Sequence, residues 1–484
     1  MRLRSLALAC AISAALLPAD AWAQDLLGVW RAASQHDRKL AVARAEHGAS
    51  QTLREQADAL WRPNVGLSLA AGLGTQETAM RGARFSAPGM GEIDEARFAT
   101  SVNAGLSTRV GIVAQQPLVN AARDAQQAQL RLGADMGETA WRGAQTELML
   151  RTAERYFALA LAEERVRVIE RQARAVGSAR TEAHDRFQLG ASPVTDTHEA
   201  DAALAGVRAQ QSAAELDAGI QRQALADSSG LAQPSAQLPA RPLAAADTLP
   251  SWLLAAEADN PRLRMLAQAV DVARQKLRER GAAGSATVDL IAQAGHERIA
   301  GSGDFGSARN RQLNGMVGVQ VNIPLYTGGM RQAQEREAAE RLNKAQAELE
   351  AAREEVTQQV RAAWQGLEAG SARIVALQQG LVASAARLDA TRVGREVGDR
   401  TTLDLLNAEN DHAQATLALA QARSDQVLTR LRLAALADRL DEDLLMQVNA
   451  TLAAPAAPTV SAAQGSQAAS AAPGAPRQQK ADRQ

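Results

Sequence analysis

The sequence predicts an α+β membrane protein: a long α-helical coiled-coil barrel joined to a four-stranded share of a transmembrane β-barrel, with an internal two-fold repeat. Three observations predict it. Two proline-free stretches, 118–192 and 325–454, have room for rods far longer than ordinary globular helices. Four segments alternate apolar and polar residues with period two, and the whole pattern is written twice along the chain.

Composition suits the rods. Hydrophobic residues make up 46% of 484, yet there are only 5 Phe, 6 Trp and 2 Tyr, so the apolar share is mostly Ala, Leu and Val. A formal charge of −1 gives no basic surface for nucleic acid, which is not an expected partner. Arg2 and Arg4 precede an apolar run from Leu6 to Leu17, and Ala21-Trp22-Ala23 offers a small-x-small cleavage site, so 1–23 reads as a secretory signal peptide. Cys10 lies inside it, which leaves the mature chain without a disulfide; a lipoprotein site at Cys10 is the rival reading, weakened by Ala7 and a short apolar lead. Past residue 23 no run of about 18 apolar residues occurs, so the exported chain is either soluble or held in a membrane by strands.

In the second proline-free stretch Leu342, Leu349, Val356 and Ala363 recur every seven residues, and the stripe continues, shifted by four, as Val360, Leu367, Ile374, Leu381 and Leu388. A heptad with charges between is a coiled-coil seam. The strands are expected at about 64–74, 98–116, 287–296 and 314–324, with Val65, Leu67, Leu69, Ala71 and Leu73 sharing one face of the first. Each has roughly the length of a transmembrane β-strand, although a half-buried soluble sheet alternates in the same way.

The repeat strengthens the membrane reading. Val65 and Val288 lie 223 apart, as do Asp37 and Asn260; Pro117 and Pro324 lie 207 apart; Gly190 and Gly398, like Asp196 and Asp404, lie 208 apart. The repeats are expected at 24–229 and 251–452, each with a helix, two strands and long helices turning near 190 and 398. A peripheral Pro-rich linker (230–250) joins them, and a disordered Ala/Pro/Ser/Gln tail (453–484) follows. The offset shrinks because the first inter-strand loop, about 75–97, is longer. Four strands cannot close a barrel, and open edges are not tolerated in hydrocarbon. Three copies would supply twelve strands, so a homotrimer in contact with lipid is expected.

Specific motifs carry a resemblance. Asn322-Ile323-Pro324-Leu325-Tyr326-Thr327-Gly328-Gly329 ends the last strand, and the run from Val397 to Ala408 (Val-Gly-Asp-Arg-Thr-Thr-Leu-Asp-Leu-Leu-Asn-Ala) forms a helix turn. Ala153-Glu154-Arg155-Tyr156-Phe157 and Arg186-Phe187-Gln188-Leu189-Gly190 support them. Over about 24–452 the chain resembles the TolC-type outer membrane efflux proteins, the trimeric channel-tunnels of Gram-negative bacteria. The resemblance implies strands in the outer membrane and a periplasmic helical tunnel. Its tip would meet a periplasmic adaptor (membrane fusion) protein and an inner-membrane ABC transporter or other pump.

It also implies sites. The turns at Leu189-Gly190 and Val397-Gly398 would dock the adaptor, although both glycines also read as plain helix caps. Asp404 and Asn407, three apart on one helical face, would line the closed aperture, with Asn407 where the family has a second acid; an Arg400–Asp404 helix pair is the local alternative. Thr195 and Asp196 would face Arg395 and Arg400 as gate latches, against simple solvated charge.

Gly301-Ser302-Gly303-Asp304-Phe305-Gly306 matches a dinucleotide-binding pattern, but no helix is expected after it, and an external loop between strands is the preferred reading. The six histidines lack metal-ligand spacing, and no Walker loop, nucleophile elbow or catalytic triad occurs, so neither a cofactor nor an enzymatic activity is expected. The leading function is a passive exit duct for type I secretion of a toxin-like protein; small-molecule efflux and a trimeric coiled-coil surface adhesin are the alternatives.

Overall fold

The computed structural model describes residues 25–241, 243, 247–304 and 306–452. The expected signal peptide with Cys10 and the expected tail at 453–484 lie outside the described residues. The first half runs α1 (Leu26–His36), α2 (Arg38–Ala59), β1 (Asn64–Ala87), β2 (Gly91–Val119), α3 (Ala121–Gln188) and α4 (Val194–Ser229). The second runs α5 (Leu249–Asp259), α6 (Pro261–Ala282), β3 (Thr287–Gly303), β4 (Gly306–Asn322), α7 (Met330–Glu396) and α8 (Thr402–Leu436), followed by α9 (Glu442–Asn449).

Corresponding elements match in length and in capping. Helices α3 and α7 have 68 and 67 residues, and α4 and α8 have 36 and 35. The 22-residue α2 is capped by Asp37, which accepts from the Leu40 amide, and the 22-residue α6 by Asn260, which accepts from the Leu263 amide. At about 1.5 Å per residue, α3 is a rod of roughly 100 Å. It packs along α4, α2, α6 and α8, while α7 packs along α8 and α6. Val356, Val360, Ile374 and Leu388 of the heptad stripe are buried, as a coiled-coil seam requires.

Midway along the rods sits the main core. Tyr156 and Phe157 of α3, Leu26 and Val29 of α1, Trp252 of α5, Val360 of α7, Leu431 of α8 and Leu445 of α9 bury one another there. The 230–250 linker is part of this belt rather than peripheral: Ala236 is buried, Pro239 bridges to Leu452, and the Gln237 amide donates to the Tyr156 hydroxyl at 3.1 Å. Proline content marked it as irregular, but burial depends on partners hundreds of residues away. Helix α9, capped by Asp441 and also in the belt, was not anticipated.

The four strands form one antiparallel sheet in the order β1-β2-β3-β4, so the β2–β3 pairing joins the two halves and β1 and β4 are its edges. Two expectations are corrected. The strands run well past the ten or so residues that alternate cleanly, and 75–97 is mostly ladder rather than loop. Register shifts after Gly74 and Met80 scramble the period-two pattern there while the backbone pairing continues, and Arg84 bonds Asp94 across the hairpin at 2.8 Å. Likewise Gly301–Gly303 ends β3 and Gly306 starts β4, making a tight hairpin with Gly306 at φ 93°, where only glycine is unstrained.

Candidate functional site: the exposed sheet face and the helix tips

Register assigns the two faces of the sheet. Leu67, Ile112 and Ala294 are paired across β1, β2 and β3, as are Leu69, Val110 and His296. Val317, Val319 and Val321 of β4 lie opposite Ala292, Leu290 and Val288 on the same face. These large apolar side chains are open to the surroundings, Leu73 at 87%, Leu313 at 83% and Val317 at 77%. The opposite face carries Arg109, Gln293, Glu297, Gln312, Asn314 and Gln320, with Arg109 bonded to Glu297 at 3.0 Å. An apolar stripe this wide, exposed and backed by a polar face, is the pattern of a barrel wall with lipid outside and water inside.

At the far end of the rods are two turns. Helix α3 ends in a Schellman motif in which the Gly190 amide bonds Phe187 and the Ala191 amide bonds Arg186; α7 ends the same way, through Gly398 to Arg395 and Asp399 to Gly394. Gly190 and Gly398 have φ of 73° and 87°, a left-handed conformation that other residues adopt at a cost. The turns push Leu189 and Val397 outward, exposed by 83% and 69%.

The structure ties the two turns together, but not by the expected pairs. The Thr402 hydroxyl donates to Asp196 at 3.2 Å, and Arg395 lies 3.2 Å from Glu182 of α3. Arg395 is therefore no partner of Asp196 within the chain: its side chain is only 4% exposed, turned in against α3, while the side chains of Thr195 and Arg400 are exposed and form no ion pair or hydrogen bond among the described residues. Glu182 and Thr402 escaped sequence reading because no local pattern links positions more than 200 residues apart. Further up, Arg180–Asp201 bridges α3 and α4 at 2.7 Å, and Arg392–Glu409 bridges α7 and α8 at 2.6 Å.

Asp404 has a local role that the sequence reading omitted. It closes a capping box at the start of α8: its carboxylate accepts from the Thr401 amide and hydroxyl, both at 3.0 Å, while the Thr401 hydroxyl caps the Asp404 amide. Those bonds, with a smaller contribution from the Arg400 charge, hold its pKa below the usual carboxylate range. The alternative, an Arg400–Asp404 helix pair, is thus a field effect and not a contact. Thr401-x-x-Asp404 was legible as a capping signature. Asn407 is exposed on the rim of a cleft shared with Gln172, Val176, Leu403 and Asn410.

A four-stranded sheet with one exposed apolar face, set on helical rods of about 100 Å, has the build of a membrane-anchored channel protein. The family model described as "Outer membrane efflux protein" matches residues 29–231 and 252–438. Alkaline protease secretion protein AprF of Pseudomonas aeruginosa is 28% identical over 446 residues, covering 91% of this chain and 89% of its own. Outer membrane protein TolC of Vibrio cholerae is 28% identical over 453 residues, covering 91% and 97%. Among solved structures, the outer membrane protein VceC of Vibrio cholerae superposes with a TM-score of 0.67 at 18% identity, over 87% of this chain and 95% of that one. The chain belongs to the outer membrane efflux protein family, of the TolC type. It is an outer membrane channel of a Gram-negative bacterium, with a large periplasmic part.

Proposed function

We propose that the chain is the passive exit duct of a tripartite exporter, assembled as a homotrimer through an internally duplicated protomer, and that its cargo is a protein released by type I secretion. The observation that carries the duct is the sheet: an exposed apolar face bounded by two unpaired edges, β1 and β4, which only further copies can close into a twelve-stranded barrel in lipid. The domain limits follow the same plan, with repeats at 24–229 and 251–452. The exposed Leu189 and Val397 beside Gly190 and Gly398 form the adaptor-docking tips, and an inner-membrane ABC transporter or other pump supplies the energy. Thr195 and Arg400, whose side chains form no ion pair or hydrogen bond among the described residues, latch neighbouring copies, with Asp196 and Arg395 behind them.

In this reading three Asp404 carboxylates and three Asn407 amides ring the aperture. Asp404→Asn keeps an acceptor for Thr401 but removes the charge, and is expected to weaken block by polyvalent cations in planar bilayers with the trimer intact. Because the native carboxyl is held below the usual carboxylate range, the block should persist as pH falls through that range and fade only at lower pH, as the carboxyl takes up its proton.

AprF, named for protease secretion and matched along nearly its whole length, supports protein cargo; the family's description as efflux proteins supports the small-molecule reading. Deleting the gene separates them. Loss of a large protein from the culture medium with unchanged drug susceptibility is the expected result. Raised susceptibility with an unchanged set of secreted proteins would overturn type I secretion and leave efflux.

A further inference from the structure

Three arginines stand on the lipid-facing side of the β3–β4 hairpin with nothing to neutralise them. The β3–β4 register is regular from Thr287–Asn322 to Gly303–Gly306, so side chains alternate strictly and Arg298, Arg309 and Arg311 share the face of Val317, Val319 and Val321. Arg298 lies directly opposite Arg311, and Arg309 is the next residue of that face along β4. Like charges directly opposite in an antiparallel pair destabilise it. No acid shares this face of the two strands: Asp289 and Glu297 both point to the other side. Among the described residues none of the three guanidinium groups has an ion pair or hydrogen bond, whereas Arg109, on the polar face, is bonded to Glu297. Arg309 and Arg311 are exposed and Arg298 half-buried.

Their height is informative. From Val321 to Leu313 the apolar face of β4 runs about 27 Å along the strand at roughly 3.4 Å per residue. With the usual tilt of about 40° that is near the thickness of a barrel's apolar band. Arg311 follows two residues, about 7 Å, beyond Leu313. Both strands meet the helices at their other ends, so this end of the hairpin is the one facing away from the rods. The cluster therefore sits where hydrocarbon gives way to the headgroups of the outer leaflet.

We propose that Arg298, Arg309 and Arg311 form a binding site for the phosphate groups of an outer-leaflet lipid, bridging phosphates that offset the Arg298–Arg311 repulsion. Guanidinium groups pair bidentately with phosphate, and their apolar stems suit the boundary. Because β4 is a free edge, each site lies at a seam between copies in a closed ring. The proposal rests on the barrel reading above.

Purified full-length trimer in detergent, titrated with bisphosphorylated lipid A and followed by native mass spectrometry, tests it. Each basic residue near an anionic lipid surface strengthens binding about fivefold, so R298Q/R309Q/R311Q is expected to bind roughly a hundredfold more weakly. Lipid A stripped of both phosphates should bind the native protein as weakly. A charge-matched control on α7, R341Q/R353Q/R373Q, should bind like the native protein. Equal binding by the hairpin variant, or by dephosphorylated lipid A, would overturn the site. Conductance in phosphatidylcholine bilayers separates the two claims: a hairpin variant that conducts normally but has lost lipid A confirms the site, while native trimer that neither inserts nor conducts overturns the barrel and the site with it.

Discussion

Phe157→Ala is expected to destabilise the helical belt by about 3–5 kcal/mol, the range for emptying a buried aromatic site. Phe157 is 1% exposed and meets Tyr156 edge-on at 5.4 Å, and the Tyr156 hydroxyl in turn accepts from the linker at Gln237. Residues of α1, α5, α8 and α9 converge on the same cluster, so the void would open in the middle of a packed belt. Thermal unfolding in detergent, followed by the loss of helical circular dichroism, should show a first transition at lower temperature. The sheet should keep its β signal through that transition, since no belt residue belongs to it. An unchanged melting profile would mean that the belt does not set the stability of the rods.

The second large effect is a contrast at the tip. Glu182→Ala removes the carboxylate that lies 3.2 Å from Arg395, whose Nε and both Nη atoms are buried without a hydrogen-bond partner among the described residues. Leaving a buried cation unpaired costs about 3 kcal/mol or more, and even with Glu182 half exposed the tip should lose about 2 kcal/mol. Arg395→Met removes the cation instead and fills a similar volume, while Glu182 stays solvated, so its cost should be near zero or negative. Single-channel recordings read the difference: Glu182→Ala should open more often or conduct more, and Arg395→Met should gate as the native channel does. If Arg395→Met opened the channel as fully as Glu182→Ala, the pair would be a latch in its own right rather than a cation that needs shielding.

Local periodicity made much of this architecture legible. Heptads with buried Val356, Val360, Ile374 and Leu388 marked the long rods, and Gly190 and Gly398 marked where they turn. Alternation found four strands but not their length: register shifts in β1 break the pattern while the ladder continues, and in the β3–β4 hairpin the regular ladder runs on past the apolar stripe into Arg298, Arg309 and Arg311. Pairings that define the tip were less legible. Arg395 was expected beside Asp196, yet helical rotation places it against Glu182 and leaves Asp196 to Thr402. Such partners depend on how α3, α4, α7 and α8 are rotated about their axes, which a heptad narrows only to a face. Asp404, read for the lumen, also closes the capping box with Thr401, a task that the local Thr-x-x-Asp pattern carried.

The central claim is that four strands are one third of a closed barrel. The most direct test is the mass of the intact full-length protein extracted from outer membranes into mild detergent, measured by native mass spectrometry, with each species then assayed for conductance. A single trimeric species carrying all of the channel activity is the predicted result. A monomer that inserts and conducts on its own would contradict it, because the unpaired edges of β1 and β4 would then have to lie in hydrocarbon without partners.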